Sequence, residues 1–280
     1  MNTESDKGVE KAASGCEPRL AWPDDSLARE SLAQDALAQR KLATEARHGM
    51  RRMLKRQYEL LASRLPDHGT ILEVGYGVGG FLQYLAEHTL LNVVGIDVSE
   101  EHYRIARERL AAYAARIEPR LAAVEALNAE MSRDGSFTKF SAAVLRGVVH
   151  HLADPQVAFR ELSLCLEHGG RLVILEGNVR SGYRRMVLRV ADTIGIEHEA
   201  SHFAHRSAEE TAEMLRAVGF TNFNVSFVSG VFAPVAFVDL GGPAFWSVLD
   251  AVEAVARRAA PSFFGWWYLL EAEKHTENPA

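Results

Sequence analysis

The sequence predicts a doubly wound α/β fold, a mostly parallel sheet with helices on both faces. Three observations predict it. Short apolar runs at residues 70–74, 93–96, 120–124, 140–145 and 171–175 alternate with amphipathic stretches, the pattern of parallel strands joined by crossover helices. A glycine-rich turn, Gly75-Tyr76-Gly77-Val78-Gly79-Gly80, stands between the first run and the first amphipathic stretch. An acidic residue, Asp97, closes the second run.

The chain has 280 residues and a mass of 30.9 kDa, enough for a core that needs no disulfide or metal to hold it. Residues 1–22 lack periodicity and read as a flexible tail. Residues 23–66 are rich in Ala, Leu, Glu, Gln and Arg and form a helical cap ahead of the main domain. Leu27, Leu32, Leu37 and Leu42 recur there, and Met50, Met53, Leu54, Tyr58 and Leu61 keep a helical period until Pro66 and Gly69 stop it. The main domain spans 67–280. After the second strand Ser99 is placed to cap a helix whose first turn carries Glu100 and Glu101. Residues 154–166 are helical between the fourth and fifth strands, and 207–217 form a helix ended by Gly219. Residues 220–227 alternate as a strand that 265–273 can pair with. Two insertions, 177–206 and 231–262, the second with a helix near 245–258, fall beyond strand ends where ligands bind open α/β sheets, and are expected to be lids.

Charge and cysteine content exclude several classes. The balance of 31 Lys and Arg against 37 Asp and Glu, a net of −6, argues against wrapping nucleic acid or an anionic membrane. Cys16 and Cys165 are the only cysteines and form no C-x-x-C pair, which excludes a disulfide scaffold, a zinc ribbon and a dithiol redox centre. The N-terminus has no apolar signal core. The most apolar stretch, 225–238, is interrupted by Ser226, Ser229, Gly230 and Pro234 and falls short of the roughly 20 residues of a membrane span. A cytoplasmic protein with no membrane partner is expected.

The glycine turn alone is ambiguous. Gly75, Gly77 and Gly80 satisfy the dinucleotide pattern G-x-G-x-x-G, whereas Glu73, Gly75, Gly77 and Gly79 fit E-x-G-x-G-x-G. Four glycines in six residues suit a backbone that must approach a ligand closely. Asp97 can accept hydrogen bonds from both hydroxyls of a ribose under either pattern; its competing role is to cap the next helix with Ser99.

Further motifs separate the two patterns. With 73–79 and Asp97 come His150-His151-Leu152-Ala153-Asp154-Pro155, Phe159-Arg160-Glu161-Leu162, the run 166–174 and Ala217-Val218-Gly219-Phe220. In this order the sequence resembles the class I S-adenosylmethionine-dependent methyltransferases, of the small-molecule and ubiquinone-biosynthesis type, over about residues 65–228 with 267–274 as a final strand. The resemblance implies a Rossmann-like, seven-stranded sheet and S-adenosyl-L-methionine as cofactor. It implies that the backbone of Gly75, Gly77 and Gly79 cradles the methionine part, with the helix N-terminus behind it facing the carboxylate. Glu73 would orient that loop, Asp97 hold the ribose and Val98 flank the adenine. Tyr76, Glu125 and Arg146 complete the expected cofactor set. Two positions depart from the family. Ala123 stands where an aspartate often meets the adenine amino group, with Glu125 or Asn128 as substitutes, and the fourth strand opens Phe140-Ser141 in place of Phe-Asp.

Methyl transfer from a sulfonium is an in-line displacement, for which the protein supplies alignment and, for a phenol or alcohol, a base. His150 and His151, just past the fourth strand, are the catalytic candidates. Glu176, Asn178 and Tyr183 beyond the fifth strand, His202 in the first insertion and Trp246 in the second are the substrate-contact candidates. Arg180, Arg184 and Arg185 read mainly as a solvated helix face. His198-Glu199-Ala200-Ser201-His202 matches the zinc-protease pattern H-E-x-x-H, but in an insertion of another fold it reads as a polar lid, and no metal ligand is assigned. The expected function is methylation of a small, specialised-metabolite acceptor by a monomer or homodimer. The alternatives are a cyclase or lyase releasing methylthioadenosine, a nicotinamide oxidoreductase, and a non-catalytic cofactor-binding protein.

Overall fold

The computed structural model describes residues 25–132, 139–195, 205–238 and 243–275. Two helices lead, α1 (Asp25–Glu45) and α2 (His48–Ala62). Then come β1 (Thr70–Val74), α3 (Gly80–His88), β2 (Asn92–Asp97), α4 (Glu100–Leu110) and β3 (Ile117–Leu121). They are followed by α5 (Leu127–Ser132), β4 (Phe140–Arg146), α6 (Pro155–Cys165), β5 (Leu166–Gly177) and α7 (Gly182–Thr193). The chain continues through α8 (Ala208–Ala217), β6 (Phe220–Ser229), α9 (Ala233–Val238), α10 (Pro243–Ala259), α11 (Pro261–Phe264) and β7 (Gly265–Lys274).

Among the described residues the strands form a seven-stranded sheet in the order β3-β2-β1-β4-β5-β7-β6. The neighbours from β3 to β5 pair parallel, and β7 runs antiparallel to both β5 and β6. Alternation within each strand splits the core in two. Ile71, Ala142, Val144, Val173 and Leu175 point to one face, where Met53, Leu61, Phe81, Leu85, Leu110 and Trp246 cover them. Leu72, Ala143, Leu145, Leu172 and Ile174 point to the other, under Leu127, Phe159, Leu162 and Leu215. Each large side chain buried there contributes about 1.5–3 kcal/mol.

The helices start where their caps stand. Ser99 accepts from the His102 backbone N–H, Asp154 accepts from those of Gln156 and Val157 beside Pro155, and Ser207 and Glu210 make a capping box for α8. The start of α3 differs: its cap is Gly79, in the left-handed region, and no side chain caps it. Among the described residues, no helix is long and apolar enough to cross a membrane.

The third strand lies three residues earlier than its apolar run suggests. β3 is the sheet edge, paired with β2 alone, where Pro119 is tolerated. The buried Ala122, Ala123 and Val124 belong instead to a turn that enters a 3-10 segment, with the Ala122 N–H on the Asp97 carbonyl.

The leading helices are packed onto this frame. Ala38 of α1 is fully buried against Val78 and Ile105. Asp35 accepts from Ser99 Oγ (2.6 Å) and the Glu101 N–H (3.0 Å), and Glu45 pairs with Arg109 (3.0 Å), which also donates to the Val78 carbonyl. Helix α2 packs Gly49 against Trp246 and the Ala236 backbone, while Arg52 and Arg56 both pair with Asp250. A Cβ at position 49 would lie 2.7 Å from the Trp246 ring and 2.9 Å from Ala236 Cα. Gly49→Ala is therefore expected to destabilise the chain by about 1–3 kcal/mol, read as a fall in thermal midpoint of several degrees by calorimetry; an unchanged midpoint would contradict this packing.

Candidate active site

The glycine turn joins β1 to α3 beside the end of β2. The Gly75 N–H donates to the Ile96 carbonyl (2.7 Å) and the Gly77 N–H to Asp97 Oδ2 (2.8 Å). Asp97 Oδ1 accepts from the Ser99 N–H (3.0 Å) and from His102 Nδ1 (3.1 Å), an imidazole that is itself buried. A carboxylate has about four acceptor positions, so three filled ones leave one open. Asp97 thus holds the turn and the start of α4 as well as facing the space over the loop. Glycine is required at two positions. Gly75 has φ +69°, and a Cβ there would meet Val148 Cγ2 at 2.4 Å. Gly77 has φ +56°, and nothing lies within 4 Å of the space its Cβ would take.

The remaining cofactor candidates divide. Val98 is half-buried beside Asp97. Tyr76 is buried in the core, its hydroxyl donating to the Arg120 carbonyl (3.2 Å), so it supports the turn from beneath. Glu125 is half-buried and accepts from the Ala153 N–H (3.1 Å), tying the turn after β3 to the start of α6. Glu73 is 1% exposed, and its Oε2 has no hydrogen-bond partner among the described residues. Burial pushes its carboxyl up to about 8, against the opposing pull of Arg146. Arg146 also lies over the Tyr58 ring, 5.4 Å from its centroid. The Tyr58 hydroxyl has no partner among the described residues, and a Cβ on Gly80 would come within 2.5 Å of it.

A second polar group lies at the carboxyl ends of β4 and β5. His150 Nδ1 is 2.8 Å from Glu176 Oε1, which also accepts from the Gly177 N–H (2.8 Å), while Oε2 accepts from the Val149 N–H (2.9 Å). Burial alone would raise the Glu176 carboxyl, but the His150 bond and charge hold it below the usual value. His151 lies against His150 with ring centroids 4.1 Å apart and the planes tilted by 40°, and its Nδ1 is 3.0 Å from Glu30 Oε1 of α1. His205, in the lead-in to α8, lies 4.7 Å from the His150 ring centroid. Burial first, then the charges of His150 and Arg184, push its pKa down to about 4.

Other substrate candidates have structural bonds. Asn178 is buried, donating through Nδ2 to the Gly265 carbonyl (3.0 Å) and accepting the Arg180 N–H at Oδ1 (3.0 Å). Tyr183 is half-buried and donates to the Val231 carbonyl (2.7 Å), linking α7 to the segment before α9. Trp246 is buried against Gly49, His48 and Phe232 in the core beneath α2. His202, with His198 and Glu199, lies outside the described residues. Sequence reasoning passed over Glu30 and Tyr58: the first is one charge among many on α1, and the second was absorbed into the apolar stripe of α2.

The strand order, with antiparallel β7 inserted before β6, is not the all-parallel 3-2-1-4-5-6 order of the dinucleotide fold. A family model described as a methyltransferase domain matches residues 46–225. The chain belongs to the methyltransferase-domain family. The family depends on S-adenosylmethionine. A curated relative, 2-methyl-6-phytyl-1,4-hydroquinone methyltransferase of Synechocystis sp., is 31% identical over 168 residues, 58% of this chain and 49% of the relative. The chain thus spans about half the length of that relative. Solved structures share the fold. An S-adenosylmethionine-dependent methyltransferase from Archaeoglobus fulgidus matches with TM-score 0.56 and 19% identity, covering 83% of this chain and 98% of that one. The [4+2]-cyclase SpnF also matches at TM-score 0.56, with 22% identity over 79% and 81% of the two chains. Geranyl diphosphate C-methyltransferase of Streptomyces coelicolor A3(2) matches at 0.54, with 17% identity over 81% of each.

The site fits the family's cofactor on its own geometry. The unpartnered Glu73 oxygen, the open Gly77 position and the uncapped start of α3 lie along one turn. Because the folded chain raises the Glu73 pKa to about 8 from near 4.5, the native state binds more protons than the unfolded one between those values. Stability conferred by that proton is present at low pH and lost as pH rises through the window. Glu73→Gln should therefore raise the thermal midpoint of the ligand-free chain at pH 8.5 by several degrees and change it little at pH 4.5. A fall in midpoint at pH 8.5 would contradict a strained, buried carboxylate.

Proposed function

We propose that this chain transfers the methyl group of S-adenosylmethionine to a small aromatic hydroxyl acceptor, at the oxygen or an adjacent ring carbon. The observation that carries the reading is the His150–Glu176 pair at the carboxyl ends of β4 and β5. It adjoins the glycine turn through Val148, which packs on Gly75. A hydroxyl acceptor gains from a group that receives its proton, and an imidazole oriented by a carboxylate is such a group. The hydroquinone named for the Synechocystis relative is an acceptor of this class.

Cofactor residues follow from the turn. Glu73 would accept from the amino group, the N–H groups of the uncapped first turn of α3 would face the carboxylate, and Asp97 would use its open acceptor position on the ribose. Val98 would lie against the adenine, and Glu125 stands at the same edge. When bound, the cofactor supplies an activated methyl on a sulfonium. The chain's own part is to fix the turn through Asp97, orient His150 through Glu176, and hold His151 of the same edge through Glu30 of α1. The acidic balance of the whole chain favours a small-molecule acceptor over nucleic acid. We read the protein as a cytoplasmic enzyme of small-molecule biosynthesis, acting as a monomer or homodimer.

Gly77→Arg puts a long cationic side chain into the space over the turn, where among the described residues nothing lies within 4 Å of the Cβ position. The variant should keep its fold and lose at least a hundredfold in affinity for S-adenosylhomocysteine by calorimetry. With hydroquinones as acceptors, the unaltered chain should form S-adenosylhomocysteine and a hydroquinone methylated at oxygen or at a ring carbon. Tight binding by the variant, or methylthioadenosine as product, would overturn the reading.

A further inference from the structure

We propose that His150, Glu176 and His205 form a site for a divalent transition-metal ion that holds the acceptor's oxygen. The three come from separate elements, the 3-10 segment after β4, the end of β5 and the lead-in to α8. One ligand atom from each lies within 4.8 Å of the other two. Nothing in their linear spacing shows this, because the residues meet only when β4 and β5 are paired and α8 is docked.

The local geometry suits an ion. Two ligands in cis positions, each bonded at about 2.1 Å, are about 3 Å apart. His150 Nδ1 and Glu176 Oε1 are 2.8 Å apart, so an ion replacing the proton between them requires little movement. The carboxylate is already fixed by the Val149 and Gly177 N–H groups, the kind of outer support that orients metal ligands. His205 supplies the third donor. Neither of its ring nitrogens has a hydrogen-bond partner among the described residues, although the side chain is half-buried. Its ring lies 4.7 Å from that of His150, tilted 30° to it, with a nitrogen within 4.8 Å of the pair's ligand atoms.

Two imidazoles and one carboxylate favour Zn²⁺, Co²⁺, Fe²⁺ or Mn²⁺ over Ca²⁺ and Mg²⁺, which prefer oxygen ligands throughout. Three protein ligands leave positions open for an acceptor oxygen. In the loaded site the ion takes over the proton-removing role of the His150–Glu176 pair: an acceptor hydroxyl bound there breaks its O–H bond, the oxygen stays on the ion and the proton leaves to water. The resulting oxyanion, or the ring carbon it activates, supplies the electron pair that forms the new bond to the methyl carbon as the methyl–sulfur bond breaks and S-adenosylhomocysteine leaves; on the carbon route the ring proton then passes to water. The ion's role in turnover rests on the methyltransferase reading; its binding does not.

The test uses the full chain stripped with a chelator and titrated with Zn²⁺ by calorimetry, and with Co²⁺ by visible absorption. Affinity for S-adenosylhomocysteine is measured in parallel. One ion per chain is expected, with His205→Ala and Glu176→Gln each weakening Zn²⁺ at least tenfold and altering the Co²⁺ spectrum. Should Glu176→Gln fail to fold, His205→Ala alone decides. No binding by the unaltered chain, or undiminished binding by the variants, overturns the site. Zn²⁺ binding that His205→Ala weakens in a chain that does not bind S-adenosylhomocysteine supports the site while sinking the methyltransferase reading.

Discussion

The Asp97 carboxylate is the contact on which the site depends. It stands at the end of β2, where the backbone leaves the sheet, and receives donors from the glycine turn, from the start of α4 and from the buried His102. Charged hydrogen bonds of this kind contribute roughly 1.5–3 kcal/mol each. Here they also set geometry. The Gly77 N–H is aimed at the acid, so the turn is held in its left-handed conformation, and the open face of Gly77 is left for a ligand. Ser99, fixed by the same carboxylate, in turn donates to Asp35. The leading helix is thereby tied to the acid that holds the turn.

This chain of contacts explains why α1 is more than an appendage. It spans the site, with Glu45 pairing to Arg109 near the start of α3, Asp35 at the start of α4, and Glu30 at His151. The site therefore has a floor made by the strand ends and a roof made by the helix. Between them lie polar groups that a folded chain would not keep for stability alone. Glu73 is buried with an unpartnered oxygen, and the imidazoles of His150, His151 and His205 crowd together. Such costs concentrate where ligands and chemistry supply the missing partners.

Much of the fold was legible because it follows from local patterns. The apolar runs that became β1, β2 and β4 alternate with capped helices, and Ser99, Asp154 and Ser207 mark helix starts by chemistry that acts over three residues. The third strand was misplaced because burial in a turn and burial in an edge strand leave the same apolar signature at 122–124. In the site, the residues of the turn itself could be read, since a glycine's freedom is a property of its own backbone. What could not be read was direction. Tyr76 sits in the ligand loop yet points into the core, Asn178 bonds to the Gly265 and Arg180 backbones, and Trp246 packs beneath α2. Conversely Glu30, Tyr58 and His205 reach the site only through tertiary packing, which no spacing along the chain encodes.

On the proposed function, the Asp97-held turn and the His150–Glu176 pair are two sides of one site. The most direct measurement is a crystal structure of the full chain with S-adenosylhomocysteine. The amino-acid part is expected against Gly75, Gly77 and Gly79, the ribose at Asp97, and the sulfur turned toward the edge formed by His150 and Glu176. A molecule whose sulfur faces away from that edge, or whose ribose lies elsewhere than Asp97, would contradict it.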